Sequence, residues 1–215
     1  MLHQLKGRAG AAGQGGFTLI ELLVTLTIFG VMLAIAIPNM TAWMLSNKAR
    51  GASEFYMDGL SMARRQAVSH NAASRISFTA NGNTGQMDWQ VDICFPAPGT
   101  PCSNNAGAWS TPTAPAAGDP QGAAGYTSVV RVADALPTID VLVPTILPEG
   151  ATEIYFTALG WVDSTVPNNV TQLRLDPTAG YANDVPPAAV AITLGGMATK
   201  CNPTLPATDS RACPP

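Results

Sequence analysis

Charged side chains are scarce in this chain, 12% of 215 residues, against the quarter usual for soluble domains. Alanine, glycine, proline, serine and threonine fill much of the remainder, a composition of long irregular stretches. Cations are scarcest after residue 75, where Arg131, Arg174, Lys200 and Arg211 face eleven acids, a balance of −7. Such a field does not gather phosphate backbones, which argues against nucleic acid as a partner. Imidazoles are limited to His3 and His70 and no CxxC spacing occurs, so no metal site is expected. No nucleophile elbow, phosphate-binding glycine loop or internal repeat is present, so neither catalysis nor a cofactor is expected.

Long hydrophobic runs are also rare, and the one that exists is informative. Phe17–Ile37, FTLIELLVTLTIFGVMLAIAI, carries one charge in 21 residues. As a helix it spans about 31 Å, close to a hydrocarbon core of roughly 30 Å. The preceding MLHQLKGRAGAAGQGG has Lys6 and Arg8 and no acid, which predicts a cytoplasmic N-terminus and export of everything after Ile37. A secretory signal is cut after its apolar region, but here the small pair Gly15-Gly16 stands before it. A cut there leaves the apolar helix as the new N-terminus.

Glu21 lies four residues into that run. A carboxylate in lipid is expensive and needs a partner. If Phe17 becomes the N-terminus, its ammonium lies one helical turn away, on the same chain or a neighbour's. The carboxylate also favours the positive end of the helix dipole. The alternative is an interfacial glutamate beside a generic signal anchor.

Four cysteines form two local pairs, Cys94/Cys102 and Cys201/Cys213. An even number suits disulfides in an oxidising compartment, and three connectivities are open. Pairing within each set is the simplest, since both closed loops are short; the alternative is four unpaired thiols.

Residues 39–74 read as a continuing helix. Tyr56, Leu60, Ala63 and Ala67 recur along one face, with Glu54, Arg64 and Arg65 off that stripe. The Arg64-Arg65 pair reads as a solvated helix face rather than a nucleic-acid patch, and His70 as a partner of the helix C-terminal dipole. The period then changes. Arg75–Ala80, Asp88–Phe95, Thr127–Val132, Thr138–Val143, Thr152–Ala158, Thr171–Asp176 and Ala189–Leu194 are short, rich in Val, Ile, Thr and aromatics, and bounded by turn residues. A helix followed by strands predicts an α+β fold, the helix laid across an antiparallel sheet. Residues 96–125 form a Pro/Ala/Gly-rich loop, in which Trp109 is either a partner contact or a plug over the sheet.

Gly15-Gly16-Phe17-Thr18-Leu19-Ile20-Glu21-Leu22-Leu23 resembles the processing motif of type IV pilins and type II secretion pseudopilins. The resemblance implies that prepilin peptidase cuts between Gly16 and Phe17 and methylates the Phe17 amine. It also implies that Glu21 pairs with the N-terminal amine of an adjacent subunit. Pro38 matches the kink-forming proline of that family's helix, where loss of one backbone hydrogen bond bends the chain. Three further stretches resemble the GspH/FimT-type minor pilins and pseudopilins. They are Gly59–Val68, Ile154–Trp161 with its glycine turn, and the cysteine loop from Cys201 to Cys213.

The layout implied is a leader at 1–16, a transmembrane helix at 17–38, its amphipathic continuation at 39–74 and a periplasmic β-rich head at 75–215. The expected function is a minor pilin that helps initiate or cap a type IV pilus from the bacterial inner membrane, single-pass, meeting other pilins through the N-terminal helix. The alternatives are an H-type type II secretion pseudopilin and a DNA-binding minor pilin. DNA-binding members are expected to carry Gly-Arg-x-Arg before the cysteine loop. The matching stretch here is Gly195-Gly196-Met197-Ala198-Thr199-Lys200, with Lys200 its only charge.

Overall fold

The computed structural model describes residues 16–104 and 106–214, so the expected leader lies, apart from Gly16, outside the described residues. The chain divides after Thr41 into two compact units. Helix α1 runs Leu19–His70. Thr18 opens it, its Oγ1 accepting from the Glu21 N–H at 3.3 Å while its carbonyl accepts from the Leu22 N–H at 3.1 Å. Thr18 is therefore the N-terminal cap, with the acid Glu21 in the first turn. The helix continues through position 38; the side chain of Pro38 lies outside the described residues.

In the first unit every residue of Leu19–Ile37 is exposed among the described residues. In the second unit one stripe is covered. Ala49, Ala52, Tyr56, Leu60, Ala63 and Ala67 are all buried, at the spacing of one helical face. The helix was expected to reach about Ser74, but it stops at His70. Asn71 takes a left-handed φ of 48°, its N–H bonds the Val68 carbonyl and the Ala72 N–H bonds the Ala67 carbonyl. That is a Schellman stop, with asparagine where glycine is commoner.

Eight strands follow: β1 Ala73–Ala80, β2 Met87–Cys94, β3 Val129–Arg131, β4 Leu142–Leu147, β5 Glu153–Phe156, β6 Gln172–Pro177, β7 Ala188–Ile192 and β8 Ala198–Cys201. They form two antiparallel sheets, β3-β2-β1-β5 and β4-β6-β7-β8, so the fold is α+β with two sheets where one was expected. The expected strand at Thr138–Val143 is displaced. The Thr138 carbonyl takes the Val141 and Leu142 N–H groups in a turn, and β4 begins at Leu142 and runs through Pro144. Proline is tolerated there because β4 is an edge strand. β8 had no signature of its own: Ala-Thr-Lys-Cys is short and half exposed.

The core joins the helical stripe to Ile76 and Phe78 of β1, Trp89 and Val91 of β2, Ile154 and Phe156 of β5, and Leu142, Leu173, Leu175 and Val190 of the second sheet. Polar ties fix the register inside it. The Tyr56 hydroxyl donates to Gln86 Oε1 at 3.2 Å and accepts from the Met87 N–H at 3.0 Å, while Gln86 Nε2 donates to the Leu142 carbonyl at 2.6 Å. Gln86 is fully buried, so this chain links helix, first sheet and second sheet in an environment where an unmade bond is costly. Trp89 Nε1 donates to the Phe55 carbonyl at 3.1 Å, and Ser74 Oγ to the Ala63 carbonyl at 2.7 Å.

Replacing Tyr56 by phenylalanine keeps the ring but leaves Gln86 Oε1 and the Met87 N–H unpaired. The head is expected to lose about 1–3 kcal/mol, read as a lower urea midpoint of the detergent-solubilised chain.

Candidate assembly site

The segment most out of place in water is the first unit's helix. Leu19, Ile20, Leu26, Phe29, Val31, Met32 and Ile35 point in every direction around it, and all are exposed. A helix apolar all round is made for burial, either in lipid or against other helices. Glu21 is the only charge along it and is exposed with its apolar neighbours. Phe17, at the proposed cut, is 84% exposed, so nothing within the described residues blocks a peptidase or the amine a cut would free.

The head is tied together in three places. On the outer face of the first sheet, Arg75 Nε donates to Asp92 Oδ2 at 2.8 Å, and Gln90 Nε2 donates to Asp92 Oδ1 at 2.7 Å. The Asp92 side chain is fully buried. Arg75 also lies 3.6 Å from Glu153, whose carboxylate accepts the Tyr155 hydroxyl. Burial works against the Arg75 charge, but the bond and field of Asp92 outweigh it and its pKa rises. Trp109 closes this cluster: the Arg75 guanidinium sits 4.6 Å over its ring and the Tyr155 ring meets it edge-on at 5.7 Å. Of the two readings of Trp109, the structure shows the plug. Its loop is held by Ser110, which exchanges bonds with both backbone groups of Ile93.

At a second place Arg64 departs from the solvated face expected for it. Its Nε donates to the Gly160 carbonyl at 3.2 Å, in the turn after β5. Gly160 and Gly196 both have positive φ, and a Cβ on Gly196 would stand 2.1 Å from the Gly160 carbonyl oxygen. The two turns thus meet backbone to backbone over Arg64, a contact without any side-chain signature in sequence. Leu159, Trp161, Leu194 and Met197 on these turns are all more than half exposed. Arg65 does stay in solvent, 3.6 Å from Asp58.

The third tie is covalent, with cysteines joined locally: Cys94 at the end of β2 to Cys102 in the loop that follows, and Cys201 to Cys213 in the C-terminal region. Lys200, the only cation of the stretch compared with the DNA-binding motif, is engaged by Glu54 of α1, and their hydrogen bond lowers the Glu54 pKa. His70 closes the last helical turn, its ring 5.2 Å from that of Tyr126. Among the described residues no three His, Cys, Asp or Glu side chains group as a metal site.

Two families recognise this chain. The prokaryotic N-terminal methylation motif matches residues 12–37. The family described as type II transport protein GspH matches residues 53–196, about two thirds of the chain. The chain belongs to the GspH family. Within it, this protein is a minor pilin or pseudopilin, a membrane-anchored structural subunit of the kind that assembles with other pilins. No curated protein and no solved structure matches significantly. The GspH match ends at Gly196, before the Cys201–Cys213 loop.

Burial raises the pKa of Tyr155 and Tyr126 to about 12 each, helped by Glu153 and by Asp92 respectively. Both folded values lie above the ordinary one. Their contribution to stability is therefore complete below about pH 10 and is lost as pH rises through about 12. A phenolate absorbance titration run beside unfolding melts is expected to show both changes in that window. Removal of either disulfide by a double serine substitution is expected to lower stability by about 2–3 kcal/mol, from the loop lengths closed, measured by thermal melts of oxidised chains.

Proposed function

We propose that this GspH-family chain is a minor pilin that helps initiate or cap a type IV pilus. The observation that carries this is the exposed Leu19–Ile37 helix with a lone carboxylate in its first turn. Prepilin peptidase cuts between Gly16 and Phe17 and methylates the new Phe17 amine. The helix crosses the bacterial inner membrane once, with the head in the periplasm, and later packs among the helices of other pilins in a fibre. Pro38 kinks the helix where it leaves the membrane, because its ring removes one backbone bond.

In this mechanism Glu21 selects register. Buried among apolar helices, an unpaired carboxylate penalises a misplaced subunit by several kcal/mol, whereas one facing a neighbour's N-terminal ammonium is neutralised. The capping geometry supports this reading: the helix begins at Leu19, so carboxylate and amine lie within one turn of the same end. The disulfide-closed Cys201–Cys213 loop resembles the C-terminal cysteine loop of minor pilins, which favours a pilus subunit.

The second reading is an H-type pseudopilin of type II secretion, favoured by the family description itself. DNA capture is weaker on every count, since Lys200 is held by Glu54 and the rest of residues 195–199 is uncharged.

Glu21→Ala is expected to insert in the membrane as the parent does and yet enter fibres at least about tenfold less, the effect of losing roughly 1.4 kcal/mol of pairing. Quantitative immunoblots of sheared fibres against membranes measure it. Equal incorporation would overturn the role assigned to Glu21. Loss of piliation in the deletion strain with secretion intact is expected; the converse would assign the chain to secretion.

A further inference from the structure

The first charges after the apolar span are Lys48 and Arg50, and no acid occurs between Glu21 and Glu54. Both cations are exposed, and neither forms an ion pair among the described residues, although Glu54, Asp58, Arg64, Arg65 and Lys200 are all engaged nearby. Trp43 is 66% exposed and Met44 46%. On a helix, Trp43, Asn47 and Arg50 share one face, while Met44 and Lys48 lie roughly 100–140° round from Trp43, on the side between that face and the buried stripe. The stripe Ala49, Ala52 and Tyr56, buried in the head, points the other way. An aromatic and two cations thus stand exposed six, eleven and thirteen residues past Ile37, where the apolar span ends.

Length fixes what meets them. The helical part of the first unit, Leu19 to Thr41, extends about 35 Å, more than the roughly 30 Å of hydrocarbon. Trp43, two residues after Thr41, therefore stands at headgroup level, and Lys48 and Arg50 follow seven and nine residues after Thr41 with side chains that lean back toward the helix N-terminus. Tryptophan is enriched at that depth, and long cationic side chains reach phosphates there. Topology does not call for these cations, because the charge bias that orients a span favours lysine and arginine on the opposite, cytoplasmic side.

From this continuity and charge complementarity we infer that Trp43, Lys48 and Arg50 form a collar that binds the phospholipid headgroup layer on the exported side of the membrane. Trp43 sets the depth of the helix, and the two cations hold anionic phosphates. The collar keeps the waiting subunit at one height, and leaving the membrane for a fibre breaks these contacts. The inference rests on the chain being membrane-anchored.

The test uses the full chain in phosphatidylcholine vesicles with and without phosphatidylglycerol, so dilute that each vesicle holds a single molecule, with flotation to establish insertion. A water-soluble amine-reactive ester labels lysines, and peptide mass spectrometry compares Lys48 with Lys200, a reference on the same side held by Glu54. Phosphatidylglycerol is expected to slow Lys48 labelling about fivefold, the effect of one cation near an anionic surface, and to leave Lys200 unchanged. The emission lost in Trp43→Phe is expected to be quenched best by lipids brominated near the headgroup. Unchanged Lys48 labelling in floated vesicles overturns the collar and leaves the anchor standing. Slowing seen only at high protein density assigns the cations to acids of a neighbouring protein and overturns it too. A chain that fails to float removes the anchor, and the collar with it.

Discussion

The 52-residue helix α1 must present apolar side chains on every side over one stretch and along a single stripe over the next. Leucine, isoleucine, valine and phenylalanine dominate from Leu19 to Ile37, where they are exposed. From Ala49 to Ala67 the buried positions are mostly small (alanine, with Ser53 and Gly59), and Tyr56 and Leu60 are the large exceptions. Small residues let the sheets approach closely, and the bulky side chains that fill the gap come from the strands, Trp89 and Phe156 foremost. The division of labour between lipid-facing and core-facing stretches is therefore set by side-chain size as much as by polarity.

Within the head, apolar packing is accompanied by two polar systems of opposite placement. Tyr56 and Gln86 sit inside, between the layers, and fix how helix and sheets register. Arg75 and Asp92 lie on the far side of the first sheet, where Trp109 from the long loop shields them. A buried ion pair gains little net stability after desolvation, so its value here is specificity: only one strand order puts Arg75 opposite Asp92 on β2 and Tyr155 on β5. The loop from 96 to 125, poor in regular structure, acquires its purpose from that pairing, because without it the guanidinium would lose the aromatic ring beneath it.

Much of the molecule could be read in the chain because it depends on local pattern. The apolar run, the stripe at Tyr56, Leu60, Ala63 and Ala67, and most strands follow from periodicity. The Thr18 cap was equally legible at the head of the apolar run, yet the weight of Glu21 as a lone charge hid its neighbour's role. What stayed hidden is non-local. Gln86 in its turn looks like any polar loop residue until Leu142 supplies an acceptor. Arg64 looks solvated until Gly160, 96 positions on, brings a carbonyl to it. The second sheet escaped notice because its edges are a proline-bearing strand and a four-residue strand, neither with the alternation that marks a half-buried ribbon.

The contact between Gly160 and Gly196 ties the fates of two surface turns that belong to different sheets. With no side chains between them, neither turn can be lengthened or given a bulkier residue at this point unless the other retreats. Surface loops ordinarily diversify one at a time. These two must diversify together, so novelty at this end of the head is confined to the residues around the glycines, Leu159, Trp161, Leu194 and Met197, whose identities can drift while the frame beneath them cannot.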